Sequence, residues 1–179
     1  MSNPLTLREG GVADIDAVAE LHARSWRKTY RGLFSDAFLD GPVFAERRDL
    51  WTRRLRGWDR ERNAVLLAES QGALAGFAAI MLDTEPEWGA RLDNLHVDPD
   101  GQGRGVGRLL MQAAGRWTVG KAPRLHLMVF DGNAAARGFY DEMQGECVER
   151  RDVTVEDGTR LVELRYLWRD LKVLTNTRR

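Results

Sequence analysis

Two rhythms of apolar and polar positions run along this chain. One repeats every three to four residues. Ile15, Val18, Ala19, His22, Ser25, Trp26 and Thr29 share one helical face, with Asp14 placed to cap its start. The break at Gly41-Pro42 predicts a second helix with Phe44, Trp51, Leu55 and Trp58 turned inward. A glycine-rich loop leads into a third, whose stripe is Val106, Leu109, Leu110, Ala113, Ala114 and Trp117. Asn133 is suited to cap a fourth, carrying Ala136, Phe139, Tyr140 and Met143 on one face. The other rhythm is that of strands. Leu5 and Leu7 alternate with Thr6 and Arg8, and runs at 64–69 and 74–82 flank Gln71-Gly72, a hairpin signal. Leu92 to Val97 predicts a central strand stopped by Pro99, and 125–130 predicts another. Two last strands, 146–155 and 160–168, surround Asp157-Gly158. Strands and helices mixed in this order, with hairpins at both ends, predict an α+β fold around one mixed sheet flanked by helices.

Composition narrows the classes. A chain of 179 residues is one domain's worth. We expect a single domain with its core at about 5–168, followed by a short tail ending in Arg178-Arg179. Lys plus Arg number 27 and Asp plus Glu number 27, so the basic excess of a nucleic-acid-binding domain is missing. The segment Glu46–Arg62 is arginine-rich, but interleaved acids make it a solvated helix face. The longest apolar run, Gly72 to Leu82, is far short of the ~20 residues that span a bilayer, so no membrane partner is expected. The lone Cys147 has no partner for an intramolecular disulfide, which fits the cytoplasm. His22, His96 and His126 lack metal-site spacing, so no metal is expected.

The chemistry concentrates in Gln102-Gly103-Arg104-Gly105-Val106-Gly107, between a strand and a helix. Glycines turn backbone N–H groups inward and the helix start adds partial positive charge, so a phosphate or pyrophosphate suits the loop. A dinucleotide fingerprint fails because Arg108 stands at the third glycine, and the P-loop-like spacing from Gly115 to Lys121 ends in Ala122.

The run Leu92-Asp93-Asn94-Leu95-His96-Val97-Asp98-Pro99, followed by Gln102-x-x-Gly105-x-Gly107, resembles the acetyl-CoA-binding motif of the GCN5-related N-acetyltransferases. Asn133-Ala134-Ala135-Ala136-Arg137-Gly138-Phe139-Tyr140 resembles the family's second motif. The glycine-phenylalanine pair often found after the tyrosine helix is here Gly145-Glu146. The resemblance implies two central parallel strands splayed around acetyl-CoA. The backbone of Leu95 and Val97 would pair with the pantetheine arm, Gln102 to Gly107 would hold the pyrophosphate, and Arg104 or Arg108 would add charge. Asn133 would contact the pantetheine region, and Tyr140 would be the general acid. The implied activity is acetyl transfer to a primary amine of a small molecule or peptide. The alternative is a catalytically silent acetyl-CoA-binding sensor or scaffold. Self-association as a homodimer is left open.

The base is open between Asp93 and His96, which strand parity puts on opposite faces. Asp93 is equally well read as an ion-pair partner for an arginine. Met128 stands where family members acting on protein N-termini carry a glutamate, which counts against that substrate class. His22, Trp26 and Tyr30 lie in the region that forms the family's acceptor pocket, although an aromatic stripe is more often core.

Overall fold

The computed structural model describes residues 4–155 and 158–176. Their order is β1 (Leu5–Glu9), α1 (Ile15–Thr29), α2 (Asp36–Asp40), α3 (Val43–Gly57), β2 (Asn63–Ser70), β3 (Ala73–Glu85), β4 (Gly89–Val97), α4 (Val106–Thr118), β5 (Leu125–Phe130), α5 (Ala134–Glu142), β6 (Glu146–Thr154), β7 (Arg160–Trp168) and α6 (Lys172–Thr175). The strands form one sheet in the order β1-β2-β3-β4-β5-β7-β6. Every neighbouring pair is antiparallel except β4 and β5, which run parallel. This is the mixed sheet flanked by helices that the sequence predicts. The β2–β3 hairpin turns at Gln71 and Gly72, both at positive φ (53° and 76°), the geometry that suits the twist of paired strands. Asp157 of the last hairpin and the Arg178-Arg179 tail lie outside the described residues. No described helix is long and apolar enough to cross a membrane.

Each face of the sheet has its own core. On one face Ala78, Ile80, Ala90, Leu92, Leu125 and Leu127 pack with Val106, Leu110 and Met111 of α4 and with Tyr140 of α5. Full burial of a Leu or Ile side chain contributes roughly 1.5–3 kcal/mol, so this face anchors α4 and the loop before it. On the other face Val65, Leu67, Phe77 and Ala79 meet Ile15, Val18 and Leu21 of α1 and Trp51 of α3.

Three local expectations need correcting. Asp14 does not cap α1 with its side chain. Its carboxylate instead accepts from the Gly11 N–H (2.8 Å) and from Arg8 (2.7 Å), closing a short 3-10 turn ahead of the helix. Phe44 is exposed, because the buried stripe of α3 starts one residue earlier at Val43 and runs to Trp51; a neighbouring position is rotated ~100° away. The sequence reading also missed α2, which Ser35 starts by accepting from the Phe38 N–H.

The fourth correction shapes the site. In β4, Leu92 pairs with Ile80 but Asn94 pairs with Ala79, so Asp93 is an extra residue bulged out of the ladder. Ala90 and Leu92 face the α4 core before the bulge, and Leu95 and Val97 face it afterwards. Asp93, Asn94 and His96 therefore all serve the α1–α3 side, and the parity that separated Asp93 from His96 does not hold.

Candidate functional site: a cleft between two splayed strands

β4 and β5 pair at only two positions, Ala90 with Leu125 and Arg91 with His126, and then diverge. The divergence leaves the β5-facing edge of β4 without a strand partner beyond Arg91 and opens a cleft of about 680 Å³. Its walls come from β4 (Leu92 to Val97), β5 (Leu127 to Val129), the end of α1, the glycine loop and α5.

At one end lies the phosphate-type loop. Asp98 caps a 3-10 turn by accepting from the Asp100 N–H (2.9 Å). Gly103 and Gly105 then take φ of +80° and +82°, in the left-handed region that favours glycine. Gly105 starts α4 with no side-chain cap and no acid in the first turn, so the helix presents free N–H groups and its positive end to the cleft. Gln102, Gly103, Gly105, Val106, Gly107 and Arg108 line the cleft. Arg104 is exposed and not part of the lining, which leaves Arg108, 3.6 Å from Glu142 of α5, as the loop's arginine at the cleft. Helix α1 is tied to the loop from the side, with Arg24 paired to Asp98 (3.0 Å) and Lys28 donating to the Pro99 carbonyl (3.1 Å).

Further in, Asn133 accepts from the Ala136 N–H (3.2 Å) to cap α5, and also hydrogen-bonds the Tyr30 hydroxyl. Burial pushes the Tyr30 phenol up to about 12. Tyr140 lines the same wall, its ring set against Phe139, Tyr166 and Trp168. Burial, helped by neighbouring Tyr30, raises its pKa further, so both hydroxyls keep their protons at neutral pH.

The β4 wall holds Asp93 and His96. Arg54 of α3 grips two consecutive residues, donating to Asp93 Oδ2 (2.6 Å) and to Asn94 Oδ1 (2.7 Å). Arg91 approaches Asp93 Oδ1 at 3.2 Å. His96 Nδ1 lies 2.9 Å from Ser25 Oγ. Desolvation, with Arg47 adding to it and Asp93 opposing, lowers the His96 pKa to about 4.

Of the expected acceptor pocket, only Tyr30 reaches the cleft. His22 is fully buried behind it, accepting from the Trp51 indole N–H at 3.0 Å and standing edge-on to Trp26, Trp51 and Phe77. Trp26 packs among Tyr30, Phe34, Phe38 and the Arg47 guanidinium and also stays out of the lining. His22 is thus a core residue, whereas Trp26 is half-buried in an aromatic cluster beside the cleft. The residues missed are Ser25 and Thr29 on α1, and Arg54, which reaches β4 from a helix far away in sequence. Ser25 was legible as the position three after His22 on the same stripe; Arg54 had no local signal.

Set beside known proteins, residues 16–145 match the acetyltransferase (GNAT) family. The chain belongs to that family. Across 95% of this chain and 96% of the relative, it is 26% identical to an uncharacterized N-acetyltransferase, YuaI, of Bacillus subtilis (strain 168). Among solved structures, the fold is similar to a GCN5-related N-acetyltransferase from Rhodopseudomonas palustris (TM-score 0.72, 24% identity, 93% of this chain and 96% of that one). It is also similar to the PaiA N-acetyltransferase of Thermoplasma acidophilum, solved in complex with coenzyme A (TM-score 0.67, 17% identity, 89% of this chain and 98% of that one).

Proposed function

We propose that this chain transfers the acetyl group of acetyl-CoA to a primary amine of a small molecule or peptide, with Leu5 to Trp168 acting as one catalytic domain. The observation that carries the reading is the parting of β4 and β5, whose cleft joins the uncapped start of α4 to Tyr140. Bound there, acetyl-CoA supplies a thioester carbon open to attack by an amine.

The chain's residues divide the remaining work. The N–H groups from Gln102 to Gly107 and the Arg108 guanidinium hold the pyrophosphate. The free edge of β4 at Leu95 and Val97 takes the pantetheine amides as an added strand. Positioning the amine against the thioester in this way supplies much of the rate. Tyr140, protonated at neutral pH, donates its proton to the departing thiolate sulfur. Met128 puts a thioether in the β5 wall, which supports small-molecule or side-chain amines over protein N-termini. A tyrosine kept in the cleft supports an enzyme over a silent acetyl-CoA-binding module.

Melting curves and thiol release test this together. Acetyl-CoA at 100 times its Kd should add ~2.7 kcal/mol of apparent stability. Thiol should then appear with at least one amine from a panel of polyamines, amino acids, aminoglycosides and peptides. Tyr140→Phe should cut the single-turnover rate by ~10²–10⁴-fold and leave acetyl-CoA affinity unchanged. Stabilisation without thiol release from any amine would make the chain a binding module, and no stabilisation would refute both readings.

A further inference from the structure

An amine that forms a bond to an acyl carbon must lose a proton, and the β4 wall of the cleft offers two groups to take it. Both oxygens of Asp93 already face guanidiniums, Oδ2 that of Arg54 at 2.6 Å and Oδ1 that of Arg91 at 3.2 Å. With both oxygens engaged by guanidiniums, neither is left free to meet the N–H of an amine. His96 is placed differently. Its Nδ1 lies 2.9 Å from Ser25 Oγ, and its ring lies 4.4 Å from that of His22, centroid to centroid. Ser25 and His22 sit three residues apart on the buried stripe of α1, so one helix face supplies both contacts.

His22 is itself fixed. The Trp51 indole N–H donates to its Nδ1 at 3.0 Å, and an indole N–H can only donate. His22 Nδ1 therefore carries no proton and the ring is neutral. The ring against His96 brings no second cation when His96 is charged.

We propose that Ser25 is a positioning residue for the acetyl transfer: its Oγ accepts a hydrogen bond from His96 Nδ1–H, which leaves Nε2 unprotonated and free to take the proton of the acceptor amine. This rests on the acetyltransferase reading above. The step balances as follows. The amine lone pair makes the new N–C bond, and the proton shed by that nitrogen goes to His96 Nε2. The C–S bond breaks with its electron pair on sulfur, which receives the Tyr140 proton. The imidazolium then returns its proton to solvent, and solvent reprotonates the tyrosinate. The groups acting on the His96 ring oppose one another, Arg47 of α3 disfavouring its cation and Asp93 favouring it, with His22 neutral beside it. Burial outweighs both, so the ring starts each cycle neutral.

Two measurements on the full chain decide the matter. With only three histidines present, two-bond ¹H–¹⁵N spectra can report the tautomer of each, assigned by substituting them singly. The parent should show His96 protonated on Nδ1, and Ser25→Ala should shift it toward the Nε2–H form. In kinetics, Ser25→Ala should lower kcat about 10-fold, part of the ~10²–10⁴-fold that a lost general base costs, with melting temperature and acetyl-CoA Kd unmoved. His96→Gln should show the full loss. A parent His96 protonated on Nε2, or a Ser25→Ala protein with the parent's spectrum and kcat, overturns the proposal. A parent that binds no acetyl-CoA overturns the acetyltransferase reading instead, while the spectra still decide the Ser25 contact.

Discussion

Lowering the pH from 7 to 5 should strip this protein of much of its stability, and the structure says by how much. All three histidines are held neutral. His126 is fully buried, with Arg165 2.9 Å from its Nδ1, and a guanidinium only donates. Trp51 fixes His22 in the same way, so a proton on either Nδ1 would set two N–H groups head to head. Burial puts His96 and His126 at about 4 and His22 well below its ordinary 6.5. The unfolded chain, with histidines near 6.5, therefore binds more protons than the native one across this window. Stability is fully present above about pH 6.5 and is lost as the pH falls toward 4. At pH 5 His96 and His126 have each given up roughly 2 kcal/mol, on the order of 4 kcal/mol together, with His22 acting in the same direction, against the ~5–15 kcal/mol that a domain usually has. Urea unfolding at pH 7, 6 and 5 measures this directly, and the lowered carboxyls of Asp14 and Glu85 enter only in more acid solution. A free energy of unfolding constant to within about 1 kcal/mol from pH 7 to 5 would refute the reasoning.

Two substitutions probe the cleft from its backbone. At Gly105 an added Cβ meets nothing within 4 Å, although φ is +82°. Gly105→Asp should thus fold but lose acetyl-CoA affinity by about 10- to 1,000-fold, the ~1–4 kcal/mol of like-charge repulsion at 4 Å. Calorimetry against Gly105→Ala, which carries the strain without the charge, isolates the effect. Gly76 is different, because a Cβ there would stand 2.8 Å from the His96 carbonyl and 2.8 Å from Val106 Cγ1. Gly76→Ala should cost ~1–3 kcal/mol in urea unfolding and weaken acetyl-CoA binding by forcing β3 away from α4.

The strands and the cofactor loop were legible because their signals are local. Leu125–Phe130 and Arg160–Trp168 fall where alternation puts them, and α4 begins at the glycine loop. Features set by contacts distant in sequence were not. His22 reads like a pocket histidine until Trp51, 29 positions on, is seen to occupy its Nδ1. Asp93 reads as a base or an ion-pair partner in equal measure until Arg54 arrives from α3. Arg104 shares the loop with the glycines, yet only the backbone turn at its neighbours decides that Arg108 lines the cleft and Arg104 does not.

The bulge at Asp93 has a consequence for how this chain can be compared with its relatives or edited. It acts as a one-residue phase shift in a two-residue alternation. Deleting Asp93 would remove that shift and restore plain alternation without moving any downstream side chain to the other face, Leu95 and Val97 staying toward the α4 core and Asn94 and His96 toward α1 and α3. A relative without the bulge, aligned through this strand with no gap, would have its two sets of side chains exchanged on paper, α4-facing positions matched to α1–α3-facing ones while the overall identity hardly changed.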